Sequence, residues 1–143
     1  MYRWQWATGG QIPSGAVHQG HEATGEPLYV ALAGLSGGVH PGKVRQAFGA
    51  ANIPYGGAEH KVNPYQVLLD AGRWVAAKGG AIPPGAVPAG FEGPADGGET
   101  LYVARAHYEG GLHPGKVRPA FGAANIPYGG KEVKVFEYEV LVE

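Results

Sequence analysis

The segment Gly37-Gly38-Val39-His40-Pro41-Gly42-Lys43 has the spacing of a phosphate-binding loop, and Gly110–Lys116 has it again. Nucleotide chemistry requires more than that spacing. The next residue is Val44 or Val117, where magnesium needs Ser or Thr. The following Ala-Phe-Gly-Ala-Ala-Asn-Ile-Pro-Tyr-Gly-Gly cannot continue as the helix whose N-terminus holds phosphate. The motif reads instead as a tight type II turn, with Pro41 setting φ and Gly42 accepting a positive φ. Lys43 and Lys116 then project from a stiff backbone, as solvated cations or as ligand-binding ones.

Other polar residues recur with them. His40 and His113 precede the two Pro-Gly-Lys segments. Metal ligation or base catalysis would draw on such histidines. No His-x-His or His-Glu-x-x-His spacing occurs, and His18, His21, His60 and His107 have no histidine counterpart in the other copy. A structural or exposed role is expected for His40 and His113, with no metal or cofactor. Glu22 and Glu92 occupy equivalent places, each after a Gly-Ala-Val stretch that reads as a strand. They are solvated carboxylates or ligand contacts. Glu59 and Glu132 follow the Asn-Ile-Pro-Tyr-Gly-Gly segments and are expected to hold a nearby lysine or backbone amide. Tyr55 and Tyr128 read as core packing, or as aromatic walls beside a ligand.

Covalent catalysis finds no support. Serine occurs only at 14 and 36 and threonine at 8, 24 and 100, and none recurs in the second copy. There is no cysteine, which excludes thiol chemistry and zinc–thiolate sites. The duplicated polar set of Glu, Lys, His and Asn suits binding, so a non-enzymatic protein is expected.

The elements that position these residues follow from the punctuation. The 143 residues include 26 Gly and 12 Pro, which leaves little room for helices of ordinary length. Yet 44% of residues are hydrophobic and only 16% charged, unlike a disordered chain. Short strands between Gly/Pro turns define an all-β fold. Two longer uninterrupted stretches, Glu99–Glu109 and Lys131–Glu143, read as strands, the second with a phase change at Glu137. A net charge of −1 provides no basic field for nucleic acid. No apolar run approaches the ~18 residues of a membrane span. The N-terminal Met1–Trp6 lacks a signal-peptide core. No membrane insertion is expected, and the location is cytoplasmic or reached by non-classical secretion.

The chain is a duplication. Residues 37–57 and 110–130 differ only at Val39/Leu112 and Gln46/Pro119. The correspondence extends outward through Arg3-Trp4 and Arg73-Trp74, residues 9–17 and 79–87, Leu28–Ala31 and Leu101–Ala104, and Tyr65–Leu68 and Tyr138–Leu141. The loop at 93–99 holds an insertion. Two tandem pseudo-symmetric repeats, 1–70 and 71–143, result. Each is too poor in large aliphatics to bury a sufficient core alone, so a shared core with exchanged strands is expected.

With these motifs in this order, twice over, the sequence resembles the DM9 repeat family across its whole length. The resemblance implies an intertwined all-β pair of repeats, a homodimer, and recognition of mannose or high-mannose glycans in one shallow site per repeat. By that likeness the sites would use Glu22 with Lys43, and Glu92 with Lys116. Glu22 stands where a mannose-binding member has Asp. Two rivals stand beside this reading. One is a protein-interaction scaffold or innate-immune adaptor without a sugar ligand; the other is a metal protein or enzyme using His40 and His113.

Overall fold

The computed structural model describes all residues, Met1–Glu143, and contains no α-helix. The first repeat forms β1 (Trp4–Ala7), β2 (Gly20–His21), β3 (Pro27–Leu35), β4 (Gly38–Val44), β5 (Ala51–Tyr55), β6 (Ala58–Val62) and β7 (Tyr65–Leu68). The second repeats the series as β8 (Arg73–Lys78), β9 (Pro88–Phe91), β10 (Thr100–Tyr108), β11 (Gly111–Val117), β12 (Ala124–Tyr128), β13 (Lys131–Val135) and β14 (Glu137–Val142). Three one-turn 3-10 segments complete the elements.

The long hairpins β3–β4 and β10–β11 turn on two residues with positive φ, Ser36-Gly37 and Glu109-Gly110. That is the twist a two-residue hairpin requires. Strand exchange joins the repeats. β2 pairs with β3 of its own repeat and with β11 of the other, through His21 and Leu112. β9 likewise pairs with β10 and with β4, through Phe91 and Val39. β6 and β13 meet at Ala58 and Lys131. The pairings β3–β2–β11–β12–β13–β6–β5–β4 return to β3 and close an eight-stranded barrel. Closure removes the exposed edges of those strands. The remaining six strands extend the sheet, β7 and β1 beyond β3 and β9, β10, β14 and β8 beyond β4, with β1 and β8 at its ends.

The core is both divided and shared. Each repeat has its own cluster, around Tyr65 and Ile53 in one and Tyr138 and Ile126 in the other. A third cluster, Val30, Leu68, Val103 and Leu141, draws equally on both. The termini close the join: the Tyr2 hydroxyl donates to the Val142 carbonyl and accepts from the Arg73 amide.

Three local expectations need correction. His-Pro-Gly-Lys is not a turn. It lies inside β4 and β11, and neither Gly42 nor Gly115 has a positive φ. A Cβ on Gly42 would sit 2.3 Å from the Asn52 carbonyl oxygen, so glycine is there to let β5 approach. Pro41 is tolerated because it lies between the part of β4 that pairs with β9 and the part that pairs with β5. The stretch Lys131–Glu143 is two strands, β13 on β12 and β14 on β8, separated at the exposed Phe136. Gly15-Ala16-Val17 is not a strand; the strands that precede Glu22 and Glu92 are β2 and β9.

Candidate binding sites

Strand periodicity distributes the side chains of β4 and β11. His40 and Lys43 are three residues apart, and residues at odd spacing on a strand face opposite sides. Each strand therefore sends its histidine to one site and its lysine to another. Lys43 Nζ lies 3.0 Å from Nδ1 of His113, and Lys116 Nζ lies 3.0 Å from Nδ1 of His40. All four side chains are buried. Asn52 and Tyr55 on β5 follow the same rule. Asn52 belongs with Glu59 and Lys61, whereas Tyr55 crosses to the Lys116 side.

Burial sets the protonation states. It is the main cause that lowers His40 and His113 to about 4, with the adjacent lysine charge second. Both imidazoles are neutral at pH 7, so Nδ1 accepts from the lysine. His40 Nε2 then donates to the Leu35 carbonyl at 3.1 Å. His113 Nε2 is buried without a partner. Burial also lowers both lysines. Glu22 and then Glu59 oppose this for Lys43, as Glu132 and then Glu92 do for Lys116.

The four residues singled out from the sequence fall into two clusters, but not as two ion pairs. Glu22 accepts from Arg45 Nε at 2.9 Å, and Glu92 from Arg118 Nε at 3.0 Å. The nearest charge contacts of Glu92 and Lys116 are Arg118 for the first and Glu132, at 3.9 Å, for the second. Glu92 Oε1 lies 3.9 Å from His40 Nδ1 and accepts no hydrogen bond. Glu92 and Lys116 share a cavity of about 320 Å³, with Tyr55, Phe121 and Asn125 also on its walls. Glu22 and Lys43 meet on an equivalent cluster with Arg45, Asn52 and Glu59, which does not form a cavity of its own.

Aromatic rings bracket each ammonium. Lys116 Nζ is 5.4 Å from the Tyr55 ring and 5.7 Å from that of Phe121, and Lys43 is 5.4 Å from Tyr128 and 5.8 Å from Phe48. These are cation–π distances. Arg118 and Lys134 also lie over Phe121. Glu59 and Glu132 are structural: each binds an Asn in its own repeat and a glycine amide, Gly130 or Gly57, in the other.

Each ammonium gives one N–H to a histidine, which leaves two donors of its three. Glu22 and Glu92 each keep one oxygen beyond the arginine contact. The arrangement can accept from and donate to a neutral polyhydroxylated molecule. Sequence reasoning missed Arg45 and Arg118, which hold the carboxylates, and missed that His40 and His113 cross between repeats. The odd His–Lys spacing carried that signal, once the segment is read as strand.

The class defined here is a tandem-repeat β protein whose two polar sites are each completed by the opposite repeat. A family model described as the DM9 repeat matches residues 1–62 and again 33–135, and the chain belongs to that family. A search of curated proteins finds no match. Among solved structures the chain resembles that of the nematode sperm cell motility protein MFP2B, with TM-score 0.69 and 20% identity. The likeness covers 99% of this chain and 46% of the other, so the chain spans about half the length of that protein. At this identity the resemblance is one of fold.

Proposed function

We propose that this protein is a non-enzymatic lectin that binds mannose or high-mannose glycans, with one site per repeat, at Glu22 with Lys43 and at Glu92 with Lys116. The observation that carries the proposal is the cavity on which Glu92 and Lys116 both lie, with unassigned donors on one and a free oxygen on the other. A pyranose presents vicinal hydroxyls, each both donor and acceptor. The carboxylate accepts from one, and the ammonium donates to the lone pairs of its neighbours. Such charge-assisted bonds are the stronger kind. Water competes for each contact, so a single open site binds weakly. Two sites per chain, doubled in a homodimer, raise the avidity for a branched glycan.

The test is a glycan array with the wild-type protein and the double variant K43M/K116M. Methionine preserves most of the buried volume. Mannose-bearing probes are expected to bind the first protein and not the second. Retention of mannose binding by a folded double variant would refute the site assignment.

A second reading, an interaction scaffold without a sugar ligand, draws on the exposed Trp6 and Phe136, each about 60% accessible. A blank array together with specific capture of a protein partner would favour it.

A further inference from the structure

The two sites come from nearly identical segments but are closed by different loops. Five residues separate Glu22 from Leu28, and eight separate Glu92 from Leu101. The longer loop lies on the Ser36-Gly37 turn so closely that a Cβ on Gly93 would be 2.2 Å from the Ser36 carbonyl oxygen. From there Asp96 accepts a hydrogen bond from the Tyr55 hydroxyl at 2.6 Å, and Glu99 reaches Arg118 at 3.4 Å. Asp96 and Tyr55 thereby wall the cavity over Lys116.

The first repeat lacks both contacts. Its shorter loop places Ala23 against Gly110, and no carboxylate is bonded to the Tyr128 hydroxyl. Glu26, the counterpart of Glu99, accepts from the Thr24 hydroxyl instead. Arg45 therefore has Glu22 as its one carboxylate partner. On its flank lies a second cavity, of about 500 Å³, lined by Ile12, Glu26, Tyr29 and Gln46. No equivalent cavity exists beside Arg118, where Glu99 lies and Pro119 replaces Gln46.

We propose that the sites take different ligands: the walled Glu92–Lys116 site a single terminal pyranose, and the Glu22–Lys43 site a disaccharide whose second ring occupies the cavity beside Arg45. The proposal rests on the lectin reading and extends it. Arg45 is the wall common to the Glu22 cluster and this cavity. Tyr29 and Ile12 offer an apolar surface to the C–H face of a sugar. Gln46 and the outer edge of Arg45 offer donors to its hydroxyls. This mixture of apolar wall and few polar groups is what small-ligand sites use. Beside Arg118, by contrast, Glu99 and Pro119 stand where a second ring would leave the other site.

Titration calorimetry separates the possibilities, using methyl α-mannoside and an α-linked mannobiose on K43M, K116M and K116M/Q46A. K43M retains only the walled site and is expected to bind the two sugars within about twofold of each other. K116M retains only the open site and is expected to prefer the disaccharide by about tenfold, equivalent to ~1.4 kcal/mol. Q46A, on an exposed side chain, is expected to remove most of that preference. Equal preference ratios in K43M and K116M would overturn the inequality of the sites and leave the lectin reading standing. Failure of the wild-type protein to bind either sugar would overturn both.

Discussion

Lys116 donates to Nδ1 of His40 across the repeat boundary, at 3.0 Å, and both side chains are buried. Lys43 and His113 repeat the contact with the roles of the two halves exchanged. Each cation that faces a candidate site is thus held in place by the other repeat. The histidine serves because burial keeps it neutral, which leaves a lone pair for the ammonium.

This contact makes the fold acid-sensitive. Both histidines are lowered from 6.5 to about 4 in the folded chain. Between those values the unfolded chain binds more protons than the folded one, so stability falls as pH is lowered through that window. Above about pH 6.5 the contribution is fully present. Thermal melts from pH 7 to pH 4 are expected to show a falling midpoint that flattens in H40N/H113N, where the Asn carbonyl replaces Nδ1 as acceptor. An unchanged slope in that variant would contradict the assignment.

The glycines inside β4 and β11 are packing positions. Ala at Gly42 would put its Cβ 2.3 Å from the Asn52 oxygen, and at Gly115 2.2 Å from that of Asn125. Backbone cannot yield cheaply, so each substitution is expected to cost about 3 kcal/mol or more. Ala at Gly15 meets no atom within 4 Å and faces only its φ of +84°. That cost is about 1–2 kcal/mol. The denaturant midpoint of G42A should therefore fall below that of G15A.

The repeats are expected to depend on each other. Residues 1–70 alone lose the pairing of β2 with β11, half of the shared cluster, and the histidine partner of Lys43. The isolated half should show no cooperative melt as a monomer, by circular dichroism with sedimentation to establish mass. A cooperative monomeric transition near that of the full chain would contradict the interlock.

Replacing the lysines tests a different link. K43M strands His113 Nδ1 in a buried place, at a cost of about 1–3 kcal/mol. K116M does the same to His40. Each single variant is expected to melt lower but cooperatively, and to lose roughly one of two sugar sites by calorimetric stoichiometry.

Much of this was legible in the residues. The duplicated segments, the Gly/Pro punctuation and the scarcity of large aliphatics identified an all-β pair with a shared core. Glu22, Lys43, Glu92 and Lys116 recur between the repeats, the family likeness paired them, and they fall into two clusters. Other features were hidden for physical reasons. Pro-Gly within His-Pro-Gly-Lys has strong turn chemistry, yet here Gly42 serves close strand approach and Pro41 fills a gap in the ladder. That misreading concealed the opposite facing of His40 and Lys43. The arginine partners were invisible because Arg45 lies 23 residues from Glu22, and only the sheet brings them together. The three-residue insertion was visible as a length difference, but its hold on Tyr55 depends on where the other repeat places its hairpin turn.

The most direct measurement is a crystal structure with mannose bound. A sugar hydroxyl is expected about 3 Å from Lys116 Nζ and another at the free oxygen of Glu92, with His40 still bonded to the lysine. Mannose ordered elsewhere, or absent from both sites at saturating concentration, would contradict the role given to the paired carboxylate and ammonium.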